Sequence, residues 1–128
     1  MSLPVVHIPF RFTEAFLELE FTGLIAASFT CVFREASNDS VLMKHTGNNA
    51  RESRFRFPIP QQLHPQILDI HSTIKGLYDD ENQGPFAMNI QLKADGIVVG
   101  EWTLPDKKAV IGNRIRTIQH YSEIRFEE

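Results

Sequence analysis

The sequence predicts a mainly β fold, an antiparallel β-sandwich or strongly curved sheet with one helix packed against it. Three observations carry that prediction. Apolar and polar residues alternate strictly in several short runs, most clearly Phe86–Leu104. Clusters of turn-forming residues separate those runs. One segment, residues 61–78, carries apolar residues at helical spacing. A period of two is the signature of a strand with one face in a core, and a period near 3.6 that of an amphipathic helix.

Taken in chain order, Val5–Phe12 reads as a short strand interrupted by Pro9, which suits a sheet edge or a bulge. Ala15, Leu17, Leu19 and Phe21 alternate with Phe16, Glu18 and Glu20, although Ala, Leu and Glu also form helices readily. Leu24–Phe33 is apolar almost throughout and rich in Ile, Val, Thr and Phe, the composition of a central strand. Ala36–Ser40 is a cluster of turn residues from which Val41–Lys44 would return as a hairpin arm. Beyond a second turn at Gly47–Asn49, Phe55, Phe57 and Ile59 alternate with Arg54, Arg56 and Pro58.

In residues 61–78, Leu63, Ile67, Ile70, Ile74 and Leu77 make a helical stripe, and Pro65 suits the first turn of such a helix. Leu68, Ile70, Ser72 and Ile74 equally fit one face of a strand, so a complete β-sandwich is the competing architecture. The clearest unit follows. Phe86, Met88, Ile90 and Leu92 share one strand face, and Asp95-Gly96 supplies a pair that tolerates the positive φ of a tight turn. The returning strand places Val98, Gly100, Trp102 and Leu104 on one side and Ile97, Val99, Glu101 and Thr103 on the other. The tail, residues 110–126, fits a helix through Ile111, Ile115 and Ile118, or a strand through Ile115, Thr117, Gln119 and Tyr121. Phe29, Phe33, Phe55, Phe57, Phe86, Met88, Ile90, Leu92 and Trp102 are the expected core.

No linker or repeat divides the 128 residues, so a single domain, 1–128, is expected. Met1-Ser2-Leu3 also fits a start left by cloning, which would make the chain an excised part of a longer protein. A 42% hydrophobic fraction is globular, and the ten Phe give the core aromatic weight. The formal charge of −3 argues against a dedicated nucleic-acid binder. Cys31 stands alone, so no intrachain disulfide forms, and its apolar surroundings predict a buried, inert thiol. With no membrane-spanning apolar run and no signal-peptide pattern, a cytoplasmic location without membrane attachment is the expectation. Asn38-Asp39-Ser40 fits a glycosylation sequon that this setting would leave unused.

Candidate chemistry is sparse. His64 and His71 would share one helix face, but seven residues apart they are too distant to chelate one ion. Asp79-Asp80-Glu81-Asn82 is oxygen-rich, with Asp95 or Asp106 as further cation ligands, yet it lacks the alternating ligands and central Gly of an EF-hand. Arg54 and Arg56 would project together near Arg51, with Arg114, Arg116 and Arg125 in the tail, while Phe55 and Phe57 point away from them. A single-strand binding platform needs rings and cations on the same face. Glu14, Glu18 and Glu20 supply carboxylates that strand alternation already explains. The sequence contains no phosphate-cradling Gly-rich loop, no nucleophile elbow and no H-E-x-x-H. No catalytic, cofactor or metal residue is therefore assigned.

From the candidate helix onward, Gly84-Pro85-Phe86, a strand, Asp95-Gly96 and a second strand ending near Trp102 resemble the C-terminal half of the bacterial YezG-like immunity (antitoxin) proteins. That resemblance runs from Ile59 to Trp102 and implies neutralisation of a toxin by binding. The long N-terminal helix of that family has no counterpart here, and no functional residue carries across. The functional expectation is a non-enzymatic binding or assembly module that meets a protein partner through a sheet face or edge, a homodimer by edge pairing included. The alternative is a small-ligand carrier or cryptic enzyme with an aromatic pocket between sheet and helix.

Overall fold

Nine strands and no helix make up the described residues of the computed structural model, namely 3–51, 53–57, 64–79 and 81–127, with the side chains at 106–108 set aside. In chain order they are β1 (Val5–Pro9), β2 (Ala15–Thr22), β3 (Ile25–Glu35), β4 (Val41–Asn48) and β5 (Ser53–Phe57). There follow β6 (Gln66–Gly76), β7 (Gly84–Ala94), β8 (Ile97–Ile111) and β9 (Ile115–Glu127). Two sheets face each other across one core. The five-stranded sheet runs β1-β9-β6-β3-β4 and the four-stranded sheet β5-β2-β7-β8. Every pairing is antiparallel except that of β1 with β9, which is parallel.

The helix expected over 61–78 is absent: residues 66–76 form β6, and 61–63 lie outside the described residues. The reason lies in which residues are buried. Leu68, Ile70, Ser72, Ile74 and Gly76 point inward at every second position, while Asp69 and His71 point out between them. The helical stripe counted Ile67 and Leu77, which sit on the outer side of that alternation. Ser72, Thr73, Ile74 and Gly76 are poor helix formers, and β6 gains a hydrogen-bonding neighbour on both sides, β3 and β9. The competing all-strand architecture is the one adopted. The tail likewise becomes a strand, β9, with Ile118, Ile124 and Phe126 buried, so that Ile115, Thr117, Gln119 and Tyr121 form its outer face.

The hairpin of β7 and β8 forms through Asp95 (φ 48°) and Gly96 (φ 81°), two successive positive-φ residues, as in a type I′ turn. Its returning face differs from simple alternation. A register shift between Leu92 and Lys93 sets Leu92 opposite Gly100 and Lys93 opposite Val98. Val99 is thereby turned against the core and Val98 left 44% exposed, a one-residue bulge that reverses the face of each.

The expected core residues meet between the sheets. Phe29, Phe33, Phe57, Phe86, Met88, Ile90 and Leu92 are buried, and Phe55 and Trp102 pack partly buried beside them. The phenylalanines form a seam across the interface: Phe33 stacks on Phe57 with ring centroids 4.7 Å apart, and Phe29 lies 5.9 Å from Phe21 and 5.8 Å from Phe55. The four edges are β1 and β4 in one sheet and β5 and β8 in the other.

Candidate functional site

Three surfaces gather polar or reactive groups. The first is the outer face of the five-stranded sheet. Asp69 of β6 is paired in register with Tyr121 of β9 and Val32 of β3, and His71 follows two residues later on the same face. Asp69 is only 8% exposed although it points away from the core. His71 Nε2 lies 2.7 Å from Asp69 Oδ1, an ion-pair distance without hydrogen-bond alignment. The Tyr121 hydroxyl is 3.3 Å from that same nitrogen, and Arg34 Nε lies 3.8 Å from Asp69 Oδ2. A proton relay needs the two imidazole nitrogens to serve different partners. Here both neighbours crowd Nε2, so the geometry describes a packed polar cluster and no activated nucleophile.

The second surface is a cleft of about 630 Å³ beside the four-stranded sheet. Among the described residues β5 pairs with β2 from Ala15 to Leu19, and none is paired with Glu20–Thr22 on that side. The turn after β4 brings Asn49, Ala50 and Arg51 over that stretch. That turn is fixed in place. Asn49 Oδ1 accepts from Ala27 N at 3.0 Å, its Nδ2 donates to Ile25 O at 2.8 Å, and its own N donates to Ala27 O at 3.1 Å. Asn48 Oδ1 accepts from Ala50 N at 2.9 Å, an Asx turn. The floor is the outer face of β2 and β7: Glu18, Glu20, Asn89, Gln91 and Lys93. Glu18 is held by Lys93 Nζ at 2.7 Å and Arg54 Nε at 3.2 Å, and that guanidinium covers the ring of Phe16 at 4.0 Å.

The third surface is the free edge of β8. Among the described residues, Ile97–Leu104 pairs only with β7, and Ile97 and Val98 are 55% and 44% exposed. β1 and β5 are five residues each, with Pro9 at the end of β1 and Arg54 and Arg56 along β5.

The residues singled out from sequence are dispersed. His71 sits on a strand, and His64 lies before β6, so the shared helix face does not exist. Asp79 closes its own turn, accepting from Asn82 N at 2.7 Å and Asn82 Nδ2 at 3.1 Å; Asp80 and the side chain of Asp106 lie outside the described residues. Asp95 accepts instead from Glu14 N at 2.9 Å and from Thr13 N, which hold its carboxyl below the usual range. Among the described residues no three or more His, Cys, Asp or Glu side chains converge as a metal site. Arg54 and Arg56 do share the outer face, but each meets a carboxylate, Glu18 and Glu14 respectively. Arg125 meets Glu123 at 3.2 Å. Burial, then the Asp69 carboxylate, push the Cys31 thiol up to about 12. Without a helix, the pocket expected between sheet and helix has no walls. Asp69 and Tyr121 carry no site signal in the sequence, because only strand register brings them together.

No helix among the described residues is long and apolar enough to cross a membrane. Comparison with family models and with curated proteins finds no match. Among solved structures, the chain is similar to a DUF4425 family protein from Bacteroides ovatus, with 9% identity and a TM-score of 0.49. The likeness covers 88% of this chain and 95% of that one, and at this level it bears on no functional argument.

Proposed function

We propose that this protein is a non-enzymatic binding module that takes an extended strand of a protein partner at the free edge of β8. One observation carries the reading: among the described residues no second strand pairs with Ile97–Leu104, which also exposes Ile97 and Val98. An open edge of that length is a template for strand addition, in which main-chain hydrogen bonds give affinity and alternate side chains give specificity. The edges of β1 and β5 are less inviting, being five residues each and either ended by Pro9 or lined by Arg54 and Arg56, and that of β4 carries Lys44, a residue that opposes edge pairing. A toxin-neutralising role and edge-paired homodimerisation are both forms of this same mode.

The test is a pair of charged substitutions on the edge, Ile97→Lys with Val98→Lys. Both side chains are largely exposed, so the thermal midpoint should stay close to wild type, whereas lysines on an edge oppose pairing. Native mass spectrometry should show a dimer or a co-purified protein with the wild type and neither with the variant. Amides of 97–104 in the wild-type complex should be protected from hydrogen exchange. Association that survives the double substitution sinks the reading.

A further inference from the structure

We propose that the cleft between the Asn49–Arg51 turn and the outer face of β2 and β7 is a binding site for a neutral polyhydroxylated ligand, a saccharide unit. The site lies on the sheet face, apart from the β8 edge, although Glu101 and Thr103 of that strand orient two of its residues. Glu18 is taken up by Lys93 and Arg54. Gln91 donates through Nε2 to Glu101 at 3.3 Å, and Asn89 accepts through Oδ1 from Thr103 at 3.3 Å. Those bonds orient the two carboxamides and leave the Gln91 oxygen and the Asn89 amino group as the ends available to a ligand. Glu20 lies directly opposite Asn89 in the β2–β7 register, so a carboxylate acceptor sits beside an amide donor.

Each sugar hydroxyl is both a donor and an acceptor, and a neighbouring pair of them is matched by an acceptor set next to a donor. Among the described residues the lining carries two carboxylates, Glu18 and Glu20, and two cations, Lys93 and Arg51, so its formal charge does not call for a charged ligand. An anion would meet the Glu20 carboxylate, and an apolar ligand would strip water from Asn89, Gln91 and Glu20 without replacing their hydrogen bonds. Phe21 borders the cleft at the edge of β2, its partly buried ring stacked on Phe29 in the core. The volume of about 630 Å³ lies within the range of small-molecule sites. The opposite wall is preorganised by the hydrogen bonds of Asn48 and Asn49, so little ordering remains to be done on binding.

The experiment is a titration followed by amide nitrogen–proton correlation spectra, using glucose, galactose, mannose, maltose, lactose and cellobiose, with glucose 6-phosphate as the anionic control. At least one neutral sugar should give saturable shifts confined to residues 18–21, 49–51 and 89–93, at roughly millimolar affinity for a few solvent-exposed hydrogen bonds. Glu20→Gln and Asn89→Ala, each shown folded by its own spectrum, should weaken that affinity about tenfold, the equivalent of one lost hydrogen bond to a polar or charged group. The proposal is overturned if none of the six sugars gives a saturable shift, if both variants bind like wild type, or if the phosphorylated sugar binds more tightly than the neutral ones.

Discussion

Asp95 shows how one side chain can serve a turn twice. It adopts the positive φ that begins the β7–β8 hairpin, and its carboxylate reaches back to the backbone N–H groups of Thr13 and Glu14 before β2. Those donors stabilise the ionised form and lower its pKa. The resulting stability is complete above the pKa of an unfolded aspartate and is lost as pH falls through the lower native value. Asp95→Asn, which keeps the tolerance of positive φ, should therefore be less stable than wild type at neutral pH, and denaturant midpoints should converge in acid. Cys31 illustrates the opposite shift. Its buried thiol, with a pKa pushed up to about 12, stays protonated at neutral pH. Iodoacetamide should leave it unmodified in native protein and label it stoichiometrically in denaturant; labelling of folded protein at the rate of a free thiol would contradict the packing.

At the level of elements, β6 joins the five-stranded sheet by accepting neighbours on both sides, and its inward alternation ends at Gly76. A Cβ there would lie 2.1 Å from the Gly112 carbonyl oxygen, a backbone atom that cannot swing aside. The close approach lets Gly76 N donate to Arg114 O at 2.9 Å and fixes the start of β9. Gly76→Ala should destabilise by about 1–3 kcal/mol through local overpacking, read as a lower denaturant midpoint with an unchanged slope. The bulge in β8 works at the same scale. By turning Val99 inward and Val98 outward, it adds an exposed apolar side chain to the edge on which partner binding is proposed.

For the whole molecule, the decisive contacts are those between sheets. Phe33 of β3 and Phe57 of β5 are both almost fully buried and stacked, although the two strands belong to different sheets. Removing one ring leaves a cavity that two hydrogen-bonded sheets cannot easily collapse to fill. Phe33→Ala should cost about 3–5 kcal/mol in chemical denaturation, well beyond a typical surface substitution. The parallel pairing of β1 with β9 brings the two ends of the chain together, with His7 Nδ1 2.5 Å from Glu127 Oε1.

The residues alone determined the mainly β character, the Asp95-Gly96 hairpin, the edge position of the Pro9 strand and part of the core, its phenylalanines above all. Alternation, turn chemistry and proline geometry are local properties, set by neighbours in the chain. Tertiary structure decided the state of residues 66–76 and of the tail. Their spacing satisfied both a helix and a strand until hydrogen-bonding neighbours arrived from distant parts of the sequence. It also decided the candidate sites. Glu20 stands opposite Asn89, and the Asn49 turn is bound to β3, through strand register and hydrogen bonds between residues far apart in the chain, which no local pattern encodes.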